Sequence, residues 1–463
     1  MGKRGAGALG SAPGEPVQKA QLTEIFKSLP TETSVDEGKW QRYYPTRATF
    51  KPTQFYIPGS TQFIDLTQCW LELKMKLVKA DGTSFGDTEI DVGVVNNMGH
   101  SVIKRFDVKL NNTSTGEPTD LYHMKAYVQS LLNFTPEQKE SYLACEGWYG
   151  DDAGATKMNA NKTCDGLNTA LAATDAAYNK GFLERTALFV KDMGKTGQKS
   201  QEVTFLIQPC VDIFQTGRHL LPGIPIDIQI DYNDDALVVM AADGATHKIV
   251  ITSAVFIVRH VDATDSVHLN ILAEHKKLGK AIYPLRTTKP IRFTLERGKQ
   301  SFIFSDIFQK SVPDILTVGI IEAENFNGKL SKNPFVCELQ DLKDIRWLVN
   351  GSERPSARLE IKSPDMLEAY HTLCESSGNL HRGFSPGIKR KDYKDGYAWM
   401  RFNFTPDGKD AKNYTYKMNE GTLDLHLEFT NNLTKNCVLF LLPEFENELW
   451  IDDVGVVSMK SNY

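Results

Sequence analysis

The chain has 463 residues, 41% of them hydrophobic and 10% aromatic, so it is too long for one β-sandwich and long enough for two domains. A formal net charge of −5 and a pI near 6.1 argue against a chain that binds nucleic acid through bulk positive charge. No apolar run approaches the ~20 residues of a membrane-spanning helix, and the Gly/Ala/Pro-rich start lacks the apolar core of a secretory signal, so we expect neither.

The cysteines favour a reducing compartment. Seven of them are scattered singly along the chain, with no C-x-x-C pair. This spacing predicts reduced thiols that are mostly packed in the interior. The seven are Cys69, Cys145, Cys164, Cys210, Cys337, Cys374 and Cys437.

Residues 1–45 show little hydrophobic periodicity and are rich in Gly, Ala, Pro and Lys. They predict a flexible N-terminal arm, with at most a short helical turn around Leu22–Leu29. Gly2, Gly5 and Gly7 resemble a phosphate-binding loop in composition only, because neither a preceding strand nor a G-K-[ST] motif accompanies them. The arm also contains the basic residues Lys3, Arg4, Lys19 and Lys27.

The clearest periodic pattern lies between Gln62 and Val78. From Trp70 onward, one face carries Leu71, Leu73, Met75 and Leu77, and the other carries Glu72, Lys74 and Lys76. A period of 2 over this length predicts an antiparallel strand with one face in a core and the other in water. Burying each apolar side chain is worth roughly 1.5–3 kcal/mol, so a one-residue register slip would be costly. The same alternation returns at Leu423–Phe429.

Shorter strands and two helices accompany this strand in the first half of the chain. One helix is predicted from Asp120 to about Asn133, and a second is predicted to begin at Pro136, because proline is favoured in a first turn. The predicted strands are Ala48–Ile57, Phe63–Val78, Ser101–Leu110, Ala187–Lys191, Glu202–Gln208, Ile224–Asp231 and His247–His260.

Residues 147–180 differ from the strands on either side, because they are small, polar and aperiodic. We interpret them as a long loop between two strands, and a loop of this length in a compact domain usually has a function or is disordered. Asp151-Asp152 lies in this loop without the D-x-[DN]-x-[DN]-G series of a calcium site, so calcium binding is not favoured.

A helix from Asp262 or Thr264 to Leu278, ending at Gly279, is predicted to connect the two halves. Beyond it the strand pattern begins again, with one further helix near Pro364–Glu375. The predicted strands of the second half are Ile291–Leu295, Ser301–Phe304, Ile315–Glu322, Ile345–Val349, Tyr397–Phe404, Leu423–Phe429 and Val438–Leu442.

The two halves repeat one order of elements: strands, a turn and a helix, then strands again. Phe106–Asn111 leads into a helix with Ala126-Tyr127, and Ile345–Gly351 leads into a helix with Ala369-Tyr370. We therefore predict an all-β protein with a few helices, built as two tandem eight-stranded antiparallel jelly rolls, a double jelly roll. The predicted domains are an arm at 1–45, a first jelly roll at 46–262 with the long loop 147–180, a connector helix at 263–279 and a second jelly roll at 280–463.

No catalytic, cofactor or metal site is predicted, and the chain is not expected to be an enzyme. His268 and His275 share the connector helix but are two turns apart, unlike the H-E-x-x-H pair of a zinc site. Glu274–Lys277 is interpreted as a solvated or interface charge run. The aromatic and acidic segment Phe440–Trp450 is interpreted as core or interface packing rather than as a ligand-stacking site.

A series of short motifs occurs in order over roughly residues 50–455. Its members are Tyr56–Thr61, Ala126-Tyr127, Leu131–Asn133, Leu272–His275, Tyr283-Pro284, Val318–Ala323, Phe326–Gly328, Lys332–Phe335, Ala369–His371, Gly396–Ala398, Phe402–Asp407 and Glu444–Asn447. This series resembles the double-jelly-roll major capsid proteins of Maverick/Polinton elements and the related adintoviruses. Asn111-Asn112, where members often have Asn-Gly, and the loop 147–180 depart from the family.

The resemblance implies a structural, hexon-type major capsid protein. Such proteins form homotrimers in which six jelly rolls make a pseudo-hexagonal capsomer, and capsomers tile an icosahedral shell around double-stranded DNA. It implies a virion protein that contacts neighbouring capsomers and penton or minor capsid proteins, made in the host cytoplasm and assembled there or in the nucleus. Ile307, Phe308 and Phe384 are expected to be exposed in loops, where they would favour trimer contacts.

The resemblance also suggests where the two irregular segments lie. The arm at 1–45 is expected at the inner, base side of the shell, where it holds adjacent capsomers or touches DNA weakly. The loop 147–180 has balanced lysines and aspartates, so attraction to DNA is not expected, and we predict it on the outer surface near the three-fold axis.

Two alternatives stay open. Jelly rolls also occur in carbohydrate-binding and cupin-like proteins, although the clustered histidine and carboxylate ligands of a cupin are not apparent in this sequence. A domesticated transposon capsid copy that forms no virion is also compatible with the sequence.

Overall fold

A computed structural model describes residues 33–47, 49–86, 91–116, 118–162, 171–193, 197–309, 311–354, 359–361, 366–378, 384–406, 408 and 419–460. The helical turn at Leu22–Leu29, the glycines and basic residues quoted for the arm, and Cys164 therefore lie outside the described residues.

The first half of the described chain consists mainly of antiparallel strands. They are β1 (Val35–Tyr43), β2 (Thr53–Ile57), β3 (Phe63–Lys79), β4 (Val92–Val94), β5 (Ile103–Leu110), β6 (Thr113–Ser114), β7 (Val190–Lys191), β8 (Lys199–Ser200), β9 (Glu202–Ile207), β10 (His219–Leu220), β11 (Ile226–Tyr232), β12 (Val239–Ala241) and β13 (His247–Ala263). The helices are α1 (Met98–Ser101), α2 (Tyr122–Asn133), α3 (Pro136–Glu140), α4 (Ala155–Met158), α5 (Lys180–Phe189) and α6 (Asp235–Val238), with 3₁₀ turns at Tyr142–Glu146 and Asp212–Gln215.

The second half begins with helix α7 (Asp265–Leu278) and is again mostly strand. Its strands are β14 (Lys280–Thr288), β15 (Ile291–Leu295), β16 (Ser301–Phe304), β17 (Ser311–Val312), β18 (Ile315–Glu322), β19 (Leu342–Val349), β20 (Ser352–Glu353), β21 (Leu359–Glu360), β22 (Met400–Asn403), β23 (Asn419–Glu420), β24 (Leu423–Phe429), β25 (Cys437–Asp452) and β26 (Val457–Lys460). The further helices are α8 (Ala323–Phe326), α9 (Leu367–Ser376) and α10 (Arg390–Tyr393).

Each half forms a sandwich of two main sheets. In the first half the sheet β1-β13-β3-β10, with β9 also on β3, is accompanied by the sheet β2-β11-β5-β6. In the second half the sheet β14-β25-β18-β22, with β15 and β26 also on β25, is accompanied by the sheet β16-β24-β19-β20, with β21 also on β19. The predicted fold class, an all-β double jelly roll with a few helices, is confirmed. Wherever strands are described, each sheet draws its strands from one half only, whereas the exact domain limits stay a prediction.

The alternation that predicted the long strand of the first half sets its register. Leu71, Leu73, Met75 and Leu77 are all fully buried in β3, and the charged residues between them are half-buried. β3 pairs with β13 from Lys79 opposite His247 to Phe63 opposite Val261, with register shifts between Ile251 and Ser253 and between Ile257 and Arg259. In the second half β24 matches its predicted bounds, Leu423–Phe429, and buries the expected face.

One predicted helix start and one predicted helix end are confirmed, and one helix start is shifted. α3 begins at Pro136 with a capping box, in which the Thr135 side chain accepts a hydrogen bond from the Gln138 backbone amide. α7 ends at Leu278 with Gly279 in the left-handed region at φ 73°, as predicted. α2 begins at Tyr122 rather than directly after Asp120, with Leu121 at its N-cap position and no side-chain capping bond; the Leu121 amide donates to the Thr119 hydroxyl at 3.3 Å.

The strand predicted at Ala187–Lys191 is wrong, because most of it belongs to helix α5. The Asn179 side chain caps this helix by accepting from the Phe182 amide at 3.4 Å, and the helix continues to Phe189. Only Val190–Lys191 forms the short strand β7. Phe182 and Phe189 are fully buried, so tertiary packing outweighs the strand propensity of this segment.

The arm prediction is wrong for residues 35–43. They form β1, which pairs antiparallel with β13 from Gly38 opposite Val261 to Tyr43 opposite Phe256. Most of β1 is exposed, so its sequence carries no alternation of buried and exposed positions. Its stability comes from main-chain pairing with a neighbour more than 200 residues away, which local periodicity does not report.

Candidate functional site

An aromatic stack joins the two jelly rolls at the centre of the molecule. Tyr127, on α2 of the first half, lies against Phe335 of the second half with ring centroids 3.9 Å apart and planes 7° apart. The opposite side of the stack is Trp148, 5.3 Å from Tyr127. All three rings are buried, so the junction is closed to solvent at this point.

A buried polar network lies beside this stack. The Arg185 guanidinium on α5 donates to the Asp151 carboxylate at 2.7 Å, and both side chains are almost fully buried. The same guanidinium donates to the carbonyls of Val94 at 3.0 Å and Tyr149 at 2.6 Å. A buried charge of this kind is stable only when its partner and its remaining hydrogen bonds are all present.

The second half of the chain completes this network. The Asn333 side-chain amide donates to the Asp151 carboxylate at 3.0 Å, and the Tyr397 hydroxyl donates to the Asp151 main-chain carbonyl at 2.6 Å. Asn179 donates to the same carboxylate from the first half at 2.9 Å. Burial raises the pKa of Tyr397 above its usual range, so the hydroxyl stays protonated and remains a donor.

The interpretation of residues 147–180 as one long loop is therefore wrong for residues 151–160, which are mostly buried or half-buried and include helix α4. Met158 is fully buried, and its sulfur occupies the space in which Gly396 would carry a Cβ. Gly396 has φ +97°, so a side chain there would be both strained and sterically blocked. The Gly154 amide also donates to the Asp395 carbonyl at 2.8 Å. The expectation that Asp151 lies in a flexible loop fails for the same reason. Residues 163–170 lie outside the description.

The histidines of the connector helix have separate local contacts. His268 packs edge-on against Phe63 with ring centroids 5.5 Å apart, and His275 Nε2 forms a hydrogen bond with the Ile451 carbonyl at 3.0 Å. Within the described ranges, no three His, Cys, Asp or Glu side chains are grouped so that they could hold a metal ion.

The loop residues expected to be exposed for trimer contacts are instead packed. Phe308 is buried against Phe445, with ring centroids 5.7 Å apart, and Ile307 and Phe384 are half-buried. The expectation failed because an aromatic residue in a loop was assumed to face solvent. In Phe440–Trp450, by contrast, Phe440 and Phe445 are core residues, as predicted.

Exposed apolar side chains occur instead around the connector helix. Leu269, Leu272 and Leu278 on α7 are 66%, 42% and 68% exposed. Val35, at the start of β1, and Ile282, on β14, are also exposed. β1 begins beside α7, since the Thr264 hydroxyl donates to the Thr33 carbonyl at 2.5 Å, and β14 follows α7 directly. Leu269 and Leu272 are about one turn apart and share a face of α7, and we call these two residues the connector surface. Sequence reasoning missed it, although the apolar stripe of the helix was visible.

The thiols behave as the sequence predicts where they are described. Cys69, Cys337 and Cys437 are fully buried, Cys210 and Cys374 are half-buried, and Cys145 is exposed. None of these six forms a disulfide. Burial raises the pKa of Cys437 to about 11 and keeps its thiol protonated at neutral pH.

Comparisons with known proteins bear on the fold. No family model matches the sequence. A protein of Caenorhabditis elegans described as uncharacterized protein F54H12.2 is 23% identical over 328 residues, which is 68% of this chain and 69% of that protein. In the described part of the chain, no helix is both long and apolar enough to span a membrane.

Solved structures from viruses resemble the whole chain. A chain of the Sputnik virophage matches with a TM-score of 0.65 at 10% identity, covering 100% of this chain and 94% of its own length. The mavirus major capsid protein matches with a TM-score of 0.54 at 11% identity, covering 99% and 97%. The Faustovirus major capsid protein matches with a TM-score of 0.55 at 12% identity, covering 92% and 92%. From end to end, the chain therefore has the double-jelly-roll fold of viral major capsid proteins.

Proposed function

We propose that the chain is a hexon-type major capsid protein with a structural role and no enzymatic activity. The observation that carries this proposal is the match of both jelly rolls, in order and over the full chain, to viral capsid proteins. The proposed assembly is a homotrimer whose six jelly rolls make a pseudo-hexagonal capsomer. Capsomers would tile an icosahedral shell around double-stranded DNA, together with penton or minor capsid proteins.

The connector surface supports contacts between copies of the chain. Three leucines of one helix are exposed, and exposed leucines do not stabilise an isolated monomer. Apolar side chains at the centre of an interface contribute most of its binding energy. We propose that a neighbouring copy covers Leu269 and Leu272 in the assembled state.

The series of short motifs in the sequence supports a more specific assignment within the viral capsid proteins. We propose a capsid protein of the Maverick/Polinton and adintovirus type, located in the virion, made in the host cytoplasm and assembled there or in the nucleus. The proposed domains are a first jelly roll at 46–262, extended at its start by β1, and a second at 280–463, joined by a connector at 263–279. We propose that residues 1–32 face the interior of the shell. The part of 147–180 that is not packed between the two jelly rolls would lie on the outer surface of the shell.

A domesticated copy without a virion is the second candidate. The relative from C. elegans favours it, because that protein comes from an animal rather than from a virus. A domesticated copy would be expected to keep the fold and the trimer while losing the ability to form shells.

The mass of the purified protein in solution tests the proposal. Size-exclusion chromatography with light scattering should give three times the chain mass of 51.9 kDa, and negative-stain microscopy should show trimers and shells. The double variant Leu269→Asp/Leu272→Asp should keep its circular dichroism spectrum but lose the trimer or the shell, since both side chains are exposed. Val454→Asp, at a residue that is 81% exposed and outside the connector surface, is the matched control.

A monomer at all concentrations would contradict the capsid proposal. Trimers that never form shells, with or without nucleic acid, would favour the domesticated copy. Normal assembly of the Leu269→Asp/Leu272→Asp variant would leave the capsid role intact but would remove the connector surface from it.

A further inference from the structure

A cleft with a positively charged lining lies where the two jelly rolls meet. Its volume is about 680 Å³, and its charged lining includes Lys104 and Arg105 from β5 and Lys289 and Arg292 from the second half. The cleft lies within the usual size range of small-molecule sites, roughly 300–1,000 Å³. Two jelly rolls therefore contribute cationic side chains to one concave surface.

A buried histidine lines the same cleft. His123, on α2, is only 3% exposed. No described group forms a hydrogen bond with either of its ring nitrogens. The ring nitrogens themselves are closed to solvent, so the imidazole lies behind the wall of the cleft, where it is influenced by the charges there without being open to direct contact.

The surroundings of this imidazole are positively charged. Burial, followed by the positive charges of Lys104 and Arg292, lowers the pKa of His123 to about 3. Arg292 is held over the Phe326 ring, with its guanidinium carbon 5.7 Å from the ring centroid. The buried Nε of Arg105 also has no hydrogen-bond partner among the described groups.

Two carboxylates at the cleft reduce this charge without cancelling it. Asp120 lies 3.8 Å from the Lys104 ammonium, and both side chains are largely exposed. Asp234 is the other acidic residue of the lining, and it is exposed. Among the described lining residues, four cationic and two acidic side chains leave an excess of positive charge even while His123 is neutral.

We propose that this cleft binds a small polyphosphate anion, with Arg105, Arg292 and Lys104 as its ligands. Guanidinium groups recognise phosphate oxygens in bidentate geometry, and ammonium groups act as point charges. The volume accommodates an anion longer than a single phosphate. A bound anion would join groups from both halves of the chain and would fasten one jelly roll to the other.

Binding should be coupled to protonation of His123. A multiply charged anion beside the ring favours the imidazolium form, so the pKa of His123 is raised in the complex. Because the complex then binds more protons than the free protein, affinity increases as the pH falls. The groups that face the ring and set this balance are Lys104, Arg105, Asp120, Asp234, Lys289 and Arg292.

Titration of the full chain with sodium tripolyphosphate tests the site. Isothermal titration calorimetry at constant ionic strength and pH 7 should give saturable binding. Lys104→Gln/Arg292→Gln should weaken it by about tenfold or more, because two charge-assisted contacts are removed. Both side chains are partly exposed, so this variant should fold. Lys109→Gln/Arg297→Gln is the matched control, since Lys109 lies on β5, Arg297 follows β15 and neither lines the cleft.

Histidine NMR provides a readout that does not depend on affinity. The signal that disappears in His123→Gln should stay that of a neutral ring down to pH 5 in the free protein and should shift toward the imidazolium on addition of tripolyphosphate. Equal weakening in the control variant would reveal charge screening only and would overturn the proposal. Binding of a short DNA duplex but not of tripolyphosphate would also overturn it, since the source would then be nucleic acid.

Discussion

At the residue scale, the most constrained position described is Arg185. Its guanidinium is buried at the junction, where it pairs with Asp151 and donates to two main-chain carbonyls. Asn333 and Tyr397 reach the same aspartate from the other jelly roll. Asp151 therefore helps to fix the relative position of the two halves, because both halves form hydrogen bonds with it.

Arg185→Met should destabilise the protein strongly. Removing one partner of a buried ion pair leaves an uncompensated charge and costs roughly 3–5 kcal/mol. The free energy of unfolding, measured in urea, should fall by about that amount, and Arg185→Met/Asp151→Asn should lose less than the sum of the two single changes. The exposed pair Lys180–Glu184 on the same helix provides the control, since Lys180→Gln should change stability by less than about 0.5 kcal/mol. A small effect of Arg185→Met would mean that the network contributes little to stability.

Lys139 should make the stability depend on pH. Its ammonium donates to the carbonyls of Leu131 and Pro386, each at 2.6 Å, and lies 5.8 Å from the Trp148 ring. Burial lowers its pKa from 10.5 to about 7. Between these two values the unfolded chain binds the extra proton and the folded chain does not, so stability increases as the pH rises from 7.

The measurement is the difference between two proteins. Unfolding free energies of the wild type and of Lys139→Met are compared at intervals from pH 6.5 to pH 9.5, below the titration of the tyrosines. The wild type should gain stability relative to the variant as the pH rises. A constant difference across this window would show that Lys139 titrates at the same pH in the folded and unfolded chains.

At the element scale, β1 is an unusual strand. It lies at the edge of its sheet, is mostly exposed, and pairs along β13 from Val35 opposite Ala263 to Tyr43 opposite Phe256. Trp40 gives it one side-chain anchor, since the Arg259 guanidinium lies 5.4 Å from the indole ring. Edge strands with unpaired backbone groups attract other strands, so whatever lies at this edge affects solubility.

Deleting β1 should therefore cause aggregation. A chain that begins at residue 44 uncovers the outer edge of β13, whereas a chain that begins at residue 33 keeps every described contact of β1. Light scattering during heating should show earlier aggregation for the first truncation and behaviour close to that of the full chain for the second. If both truncations behave alike, β1 does not protect the sheet.

Strand β25 shows the limit of periodicity for single elements. The sequence predicted Val438–Leu442, but the strand runs from Cys437 to Asp452. Its first part is buried on both faces between β15 and β18, and so it has no alternation. Its second part alternates, with Leu449 and Ile451 buried and Glu446 and Glu448 half-buried, but acidic residues and Pro443 weakened that signal.

At the scale of the whole molecule, the two halves have the same plan. β13 lies between β1 and β3, just as β25 lies between β14 and β18. β1 and β14 are thus equivalent edge strands that precede their jelly rolls, and each pairs with the far end of the last long strand. This correspondence explains why residues 35–43 belong to the fold rather than to the arm.

The junction joins these two sandwiches through buried contacts. The Tyr127 stack and the Asp151 network both lie between them, and the short helix with Met158 can pack on the Gly396 turn only because residue 396 has no side chain. The cleft that holds His123 opens at the same boundary. The buried contacts between the halves and the proposed anion site therefore lie at the same boundary.

The sequence by itself determined the fold class and the positions of strands with one buried face. Alternation in β3 and β24 reports burial directly, because neighbouring side chains of a strand point to opposite faces. Gly279 likewise marked the end of α7 through its own backbone conformation. Tertiary structure alone decided the role of β1, the burial of residues 151–158 and the exposure of the connector surface. The first two depend on partners more than 150 residues away, and the third on what the rest of the fold leaves uncovered, and no local pattern reports either.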